Sequence, residues 1–294
     1  MTTKLSGCGT AIVTPFQKDG KLDEGALRAF VDWQVEEGIH FLVPCGSTGE
    51  AATMTLAEHR RVVEITVEQV KGRVPVCAGA GSNDTQKAID LSREMRELGA
   101  THLLHVSPMY NKPPQRGIVA HFKAIAEQAG LPIVVYNVPG RTGSNIEAKT
   151  TLELANVDGI AAVKEASGSL AQITDIIRDA PKSFSVLSGD DEITLAMLAL
   201  GGDGVISVIS NATPKKMAAL CDAARAGKWD RARELHFELL SWMRAAFVES
   251  NPLPVKAAMH MLGKMENRLR LPLVPMLEAN EKAVRDALSA AGAL

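Results

Sequence analysis

Ile160-Ala161-Ala162-Val163-Lys164-Glu165 is a run of four apolar residues, too short for a helix, that closes on a lysine and a glutamate. Such a run reads as a strand buried on both faces, and strands of that kind belong to parallel sheets covered by crossover helices. The pattern recurs on either side of it. Apolar β-like runs fall at residues 8–14, 41–44, 74–78, 102–107, 132–137, 160–164, 184–187 and 205–209, eight in all. Between them lie helix-period stretches, among them residues 24–37, 56–70, 85–98, 117–129 and 171–178, several with a Thr, Ser or Asp near the start to cap them.

Parallel strands need crossover helices, and eight strand-helix units are the number that closes a barrel. The predicted fold is therefore α/β, a (β/α)8 TIM barrel. After Pro214 no strand signal follows, and helical pattern runs to the end with breaks near Gly227 and Asn251-Pro252. The predicted division is a barrel with the active site over residues 1–213 and a C-terminal helical extension, residues 214–294, packed on it. An open doubly wound sheet is the competing architecture, but its usual nucleotide fingerprint is missing. Gly79-Ala80-Gly81-Ser82-Asn83-Asp84 lacks the third glycine of GxGxxG, and no phosphate-binding GxxxxGK[ST] occurs.

Composition narrows the classes. The 294 residues carry 32 Lys plus Arg against 34 Asp plus Glu, a net charge of −2, which is not the balance of a nucleic-acid binder. No apolar run approaches the roughly 18 residues of a membrane helix, and Met1-Thr2-Thr3-Lys4-Leu5-Ser6-Gly7 lacks the apolar stretch of a leader, so a cytoplasmic location is expected. Cys8, Cys45, Cys77 and Cys221 form no CxxC pair and read as reduced core residues. The seven histidines make no HExxH, and His102 and His105 fall on opposite faces of one strand, so metal catalysis is not expected.

In a barrel, function belongs where each strand ends and its loop begins. Lys164 closes an apolar run there, and desolvation disfavours its ammonium form, leaving a nucleophilic amine able to form a Schiff base with a ketone. A structural ion pair with Glu165 is the alternative. Tyr136 ends the neighbouring run, where a phenol can shuttle the protons that imine chemistry needs or serve as a core aromatic. The hydroxyls of Ser47 and Thr48 can continue a relay or bind a carboxylate with nearby backbone amides; turn chemistry or a helix cap would also account for them. Arg141, in Pro139-Gly140-Arg141-Thr142-Gly143, suits two-point recognition of a carboxylate, unless it is a solvated loop charge. Tyr110 lies in a Pro-rich loop too short to bury it, which suggests cover from another subunit. Gly189 either lets a ligand approach the backbone or simply makes a turn.

These stretches resemble the dihydrodipicolinate synthase and N-acetylneuraminate lyase family. The resemblance rests on Gly46-Ser47-Thr48-Gly49-Glu50, on Tyr136-Asn137-Val138-Pro139-Gly140-Arg141-Thr142-Gly143, and on Val163-Lys164-Glu165-Ala166-Ser167-Gly168. It extends through Gly9-Thr10-Ala11-Ile12-Val13-Thr14-Pro15-Phe16, Leu187-Ser188-Gly189-Asp190-Asp191, Gly204-Val205-Ile206-Ser207-Val208 and Asn251-Pro252-Leu253-Pro254-Val255-Lys256, essentially the whole chain. Arg141 and Ala166 point to the synthase branch, because the sialate lyases lack this arginine and usually carry threonine two residues past the lysine.

What the resemblance implies is condensation of pyruvate with L-aspartate 4-semialdehyde, in lysine and diaminopimelate synthesis, with no external cofactor. It implies that Lys164 forms the imine and Tyr136 moves the protons. Thr48 would relay protons and bind the pyruvate carboxylate, with Tyr110 completing the relay across a dimer interface. Ile206 would line the pyruvate site through its backbone, and Arg141 would grip the semialdehyde carboxylate. A homotetramer built as a dimer of dimers is the implied assembly. Ser47 stands where the synthases usually have threonine, and a Ser-Thr pair also occurs in lyases and keto-acid aldolases. N-acetylneuraminate lyase or 2-keto-3-deoxy sugar acid aldolase is therefore the alternative activity, and a non-catalytic ligand-sensing barrel would be expected to lack Lys164 or Tyr136. The family's lysine-sensitive members hold that effector with residues matched here by His59 and Asn83. Leu56, Lys87 and Met109 depart from that pattern, so weak feedback by lysine is expected.

Overall fold

The protein, described here over residues 4–294 as a computed structural model, carries eight parallel strands. They are β1 (Gly7–Ala11), β2 (Phe41–Val43), β3 (Cys77–Gly79), β4 (His102–Val106), β5 (Ile133–Asn137), β6 (Ile160–Glu165), β7 (Ser185–Ser188) and β8 (Gly204–Ser207). Apart from β2 with β3, each pairs with its sequence neighbours, and β8 pairs with β1. The ends of the order, β2 and β3, meet through the Leu42–Val76 bridge, with Leu42 N donating to Pro75 O (3.0 Å) and Gly79 N to Pro44 O (2.9 Å). The sheet closes, and the expected (β/α)8 barrel is what the chain forms. Of the expected amino-terminal reading, Met1 to Thr3 lie outside the described residues.

Four of the helices begin at a side-chain cap that the sequence supplies. In α1 (Glu24–Glu36) the Asp23 side chain accepts from Ala26 N, and in α2 (Leu56–Val70) Thr55 and Glu58 make a reciprocal capping box. Asp84 starts α3 (Thr85–Glu97), followed by α4 (Gln115–Ala129), the single turn α5 (Pro139–Thr142) and α6 (Ala148–Leu154). Ser169 caps α7 (Leu170–Asp179), and α8 (Thr194–Ala199) is short. The remaining helices are α9 (Pro214–Arg225), α10 (Trp229–Ala245), α11 (Leu253–Met261) and α12 (Glu278–Ala290). Helix α9 lies on β1, so the helical layer that covers the barrel continues past residue 213, and α10 and α12 pack beyond it.

Two strand runs end two or more residues before their apolar pattern does. Pairing of β1 stops at Ala11, because Val13 N is taken by the Asn211 side chain (3.0 Å). β8 stops at Ser207, where the chain winds into a 3-10 turn over Ile209–Asn211. Side-chain hydrogen bonds replace the ladder where the chain leaves the barrel.

Strand alternation divides the core in two. Phe41, Val43, Cys77, Leu104, Val134, Tyr136, Ala162, Leu187 and Ile206 fill the barrel, while Ile133, Val135 and Val163 face the helices. Phe41 takes its room from Gly9, where a Cβ would sit 2.1 Å from the ring. His102 and His105 are both buried, and all four cysteines are buried free thiols. Burial holds the Cys45 and Cys77 thiols well above their ordinary range, the unreactive form expected of core cysteines.

Candidate active site

A cavity of about 740 Å³ opens at the carboxyl ends of the strands. Ser47, Thr48, Tyr136, Arg141, Lys164 and Gly189 all line it. Six residues chosen from four strand-loop junctions thus meet in one place. Tyr110 and Ile206 do not line it: Ile206 is sealed in the inner core below, and Tyr110 is 90% exposed.

Lys164 is 5% exposed at the inner end of β6. Alternation along the strand turns it inward with Ala162 and turns Glu165 outward. The Glu165 carboxylate accepts from Asn137 Nδ2 (3.2 and 3.0 Å), Gln172 Nε2 (3.2 Å) and Ser167 N (2.6 Å). That neighbour is occupied on the other face, which removes the Lys164–Glu165 ion pair as an explanation of the lysine. Lys164 lies instead over Tyr136, Nζ 4.1 Å from the ring centroid, because the two are paired across β5 and β6. Gly189 makes the space: a Cβ there would stand 3.1 Å from Lys164 Cε and 2.7 Å from the Ala166 methyl. The glycine serves the lysine's packing.

The 45–50 turn is bracketed by two non-glycine residues in the left-handed region, Cys45 (φ 58°) and Glu50 (φ 56°). Within it Gly49 N reaches Gly46 O and Glu50 N reaches Ser47 O, both at 3.1 Å, while the N–H groups of Ser47 and Thr48 have no backbone partner among the described residues. Two free amides beside the buried Thr48 hydroxyl make a nest for a carboxylate. Ser47, its side chain exposed, stands at the rim of this nest.

What fixes this turn was not readable as a site. The Glu50 carboxylate, fully buried, pairs with Lys256 from α11 and accepts from Arg270 N (3.1 Å). Burial pushes the Lys256 ammonium down to about 8 against the pull of Glu50. Lys256 and Arg270 flank Phe16, 4.2 and 4.1 Å from its ring centre, and Arg270 also grips Glu58 at 2.6 and 2.8 Å. The carboxyl-terminal segment thereby clamps the turn that carries Thr48.

Asp191 has a similar office on the opposite side. Its Oδ2 accepts from Val208 N (3.0 Å) and Ile209 N (3.2 Å), and burial pushes its carboxyl up to about 6. The C-terminal segment also lines the cavity with Met243, Arg244, Phe247 and Asn251. Asn251 was visible in the sequence only as part of a motif. Its Nδ2 donates to Thr48 Oγ1 (2.9 Å), and its carbonyl oxygen accepts from Arg141 Nη2 (3.1 Å). Tyr110 adopts φ 71° on a loop tied down by Asn83 Nδ2 to Met109 O (3.3 Å) and Asn111 Nδ2 to Asn83 O (2.9 Å). Among the described residues no cluster of side chains suits a metal ion, and no helix is long and apolar enough to cross a membrane.

A parallel barrel that presents a buried lysine beside a phenol, under a carboxylate nest, defines a class: the α/β-barrel enzymes built to act on small keto acids through an amine. The chain belongs to the dihydrodipicolinate synthetase family, whose profile matches residues 4–291. A 4-hydroxy-tetrahydrodipicolinate synthase from Maridesulfovibrio salexigens is 51% identical over 289 residues, 98% of this chain and 99% of that protein. The chloride-inhibited dihydrodipicolinate synthase from Acinetobacter baumannii, complexed with pyruvate, superposes with a TM-score of 0.97 at 40% identity, covering 98% of this chain and 99% of that one. The DHDPS from Cyanidioschyzon merolae with lysine bound gives 0.95 at 40% identity over 98% and 99%.

Proposed function

We propose that the protein is a 4-hydroxy-tetrahydrodipicolinate synthase, condensing pyruvate with L-aspartate 4-semialdehyde through a Schiff base, in lysine and diaminopimelate biosynthesis. The observation that carries the chemistry is the Lys164 amine, buried at the carboxyl end of β6 on the floor of the cavity, 4.1 Å from the ring centre of Tyr136 and free of Glu165. The free amides of Ser47 and Thr48 and the Thr48 hydroxyl bind the pyruvate carboxylate. Lys164 Nζ attacks the ketone carbon, and water leaves as the imine forms. Tyr136, with Thr48, carries the protons of that step and of the loss of a C3 proton that gives the enamine. The enamine carbon attacks the aldehyde, and the amino group of the second substrate then displaces Lys164 as the ring closes.

Arg141 receives the semialdehyde carboxylate at the cavity mouth. Gly189 shapes the pocket around the imine, and Ile206 lies sealed in the core beneath it. No external cofactor enters this sequence. Tyr110, too exposed to serve its own subunit, enters the neighbouring site in a tight dimer, and two such dimers make the tetramer. Four free buried thiols and the lack of a membrane-spanning helix among the described residues support a cytoplasmic enzyme. Relatives about half identical over the full length carry the synthase name, which favours this reading over the sialate-lyase and sugar-acid aldolase alternatives. The test is a direct comparison of activities. Condensation of pyruvate with the semialdehyde should exceed cleavage of N-acetylneuraminate and of 2-keto-3-deoxy sugar acids, and the reverse order would refute the assignment.

A further inference from the structure

We propose that Asn251 is a positioning residue that aims the Thr48 hydroxyl into the cavity and seats Arg141, so that the C-terminal helical segment sets the polarity of the proton relay. The inference rests on the reading of the site given above. Asn251 is 6% exposed, lines the cavity, and lies 203 residues from Thr48 in sequence. Its side-chain amide and its backbone carbonyl serve different partners, Thr48 Oγ1 at 2.9 Å and Arg141 Nη2 at 3.1 Å. One residue thus touches both side chains assigned to substrate carboxylates.

The direction of the first bond matters. An amide N–H that donates to Oγ1 occupies the hydroxyl's acceptor side, and the Thr48 proton must then point elsewhere, toward the cavity. There it can be donated to a bound carboxylate or passed along the relay, and a hydroxyl polarised by a donor at its oxygen is the better donor itself. The opposite arrangement, with Thr48 donating to residue 251, would withdraw that proton from the site. The rest of the amide argues against a purely structural role. Asn251 Oδ1 is buried with no partner among the described residues, an arrangement that burdens folding. An amide kept there at a cost to stability is understandable if its Nδ2 contact serves the reaction.

Asn251→Ala removes the donor, and Asn251→Asp keeps the shape but forces Thr48 to donate away from the cavity. Both retain the backbone carbonyl that holds Arg141. Pyruvate KM should rise, and the rate of borohydride-trapped imine formation should fall, by about tenfold in Asn251→Ala and by more in Asn251→Asp. KM for the semialdehyde should stay within about twofold. Thermal midpoints should be unchanged or higher in Asn251→Ala. The double variant Asn251→Ala with Thr48→Val should lose no more activity than Thr48→Val alone, because the amide acts through that hydroxyl. Wild-type pyruvate kinetics in both single variants, losses that add in the double variant, or activity that falls only in step with the thermal midpoint would each overturn the proposal. Wild-type enzyme assayed alongside separates the two readings: if it forms no pyruvate imine, the function assigned above fails; if it does and the variants match it, only the role of Asn251 fails.

Discussion

Lys164 and Tyr136 are Cα partners across β5 and β6, and the lysine Nζ lies 4.1 Å from the centre of the tyrosine ring. Parallel pairing with identical alternation puts both side chains on the inner face, so neither can leave the cavity without shifting a strand. The amine that attacks and the phenol that moves protons are held together by the sheet itself.

Borohydride added with pyruvate should therefore attach a reduced pyruvyl mass to the peptide containing Lys164 and to no other. Lys164→Ala should lose most activity while its thermal midpoint stays close to wild type, since a rim position leaves little cavity behind. Mass spectrometry reads the adduct, and label on a different lysine would contradict the site.

Arg141 is exposed, and among the described residues its guanidinium is held by one hydrogen bond, to Asn251 O. Arg141→Ala should reduce kcat/KM for the semialdehyde by roughly ten- to a hundredfold, corresponding to about 1.5–3 kcal/mol for a charged hydrogen bond. Imine formation with pyruvate should change little. Equal loss in the two half-reactions would show that Arg141 does not discriminate between the substrates.

Tyr110, 90% exposed at φ 71°, should act only across subunits. Tyr110→Phe and Lys164→Ala chains, each of low activity, should recover activity when mixed under conditions where exchange is demonstrated, because one site in the heterodimer then has both residues. No recovery despite proven exchange would place Tyr110 outside the relay.

The fold should weaken in acid through two histidines. Burial pushes His105 down to about 3, aided by the nearby His121, and burial pushes His121 down to about 4, both from 6.5. Below pH 6.5 the unfolded chain takes up protons that the folded one refuses, so stability falls as pH drops from 6.5 toward those values. Each histidine contributes about 1.4 kcal/mol per pH unit in that window. Asp191, raised to about 6, works in the opposite sense, so the informative measurement is the difference between His121→Phe and wild type in urea midpoints from pH 7 to 4. A slope unchanged by the substitution would rule the histidine out.

Inhibition by L-lysine should be weak, with half-inhibition above about 1 mM, because the family resemblance implies that Lys87 takes the place of an anion that would hold the effector's ammonium. His59, Asn83 and Met109 line the cavity, while Lys87 lies exposed in the first turn of α3 and Leu56 is exposed at the start of α2. Steady-state assays with millimolar lysine decide it, and half-inhibition far below that concentration would refute it.

The barrel was legible because its determinants are local. Eight apolar runs separated by helix-period stretches need only adjacent residues to declare themselves, and α2 spans the residues 56–70 that its periodicity predicts. The same locality located Lys164, Tyr136, Thr48 and Arg141 at strand-loop junctions, since a barrel gathers those junctions at one end. Strand ends were less legible, because β1 stops at a hydrogen bond from Val13 to Asn211, far along the chain.

By itself, then, the sequence determined the fold and the chemical identity of the residues at the strand ends. Only the tertiary structure decided which way each one faces and what holds it. It turned Glu165 away from Lys164 toward Asn137 and Gln172, and it left Tyr110 on the surface. It also brought Asn251, Lys256 and Arg270 from the C-terminal segment back to Thr48 and Glu50, partners separated by more than 200 residues. Periodicity and capping report contacts between near neighbours. A buried amide on a hydroxyl or a buried ammonium on a carboxylate depends on how the closed barrel meets its last helices, and no window of sequence contains both members of such a pair.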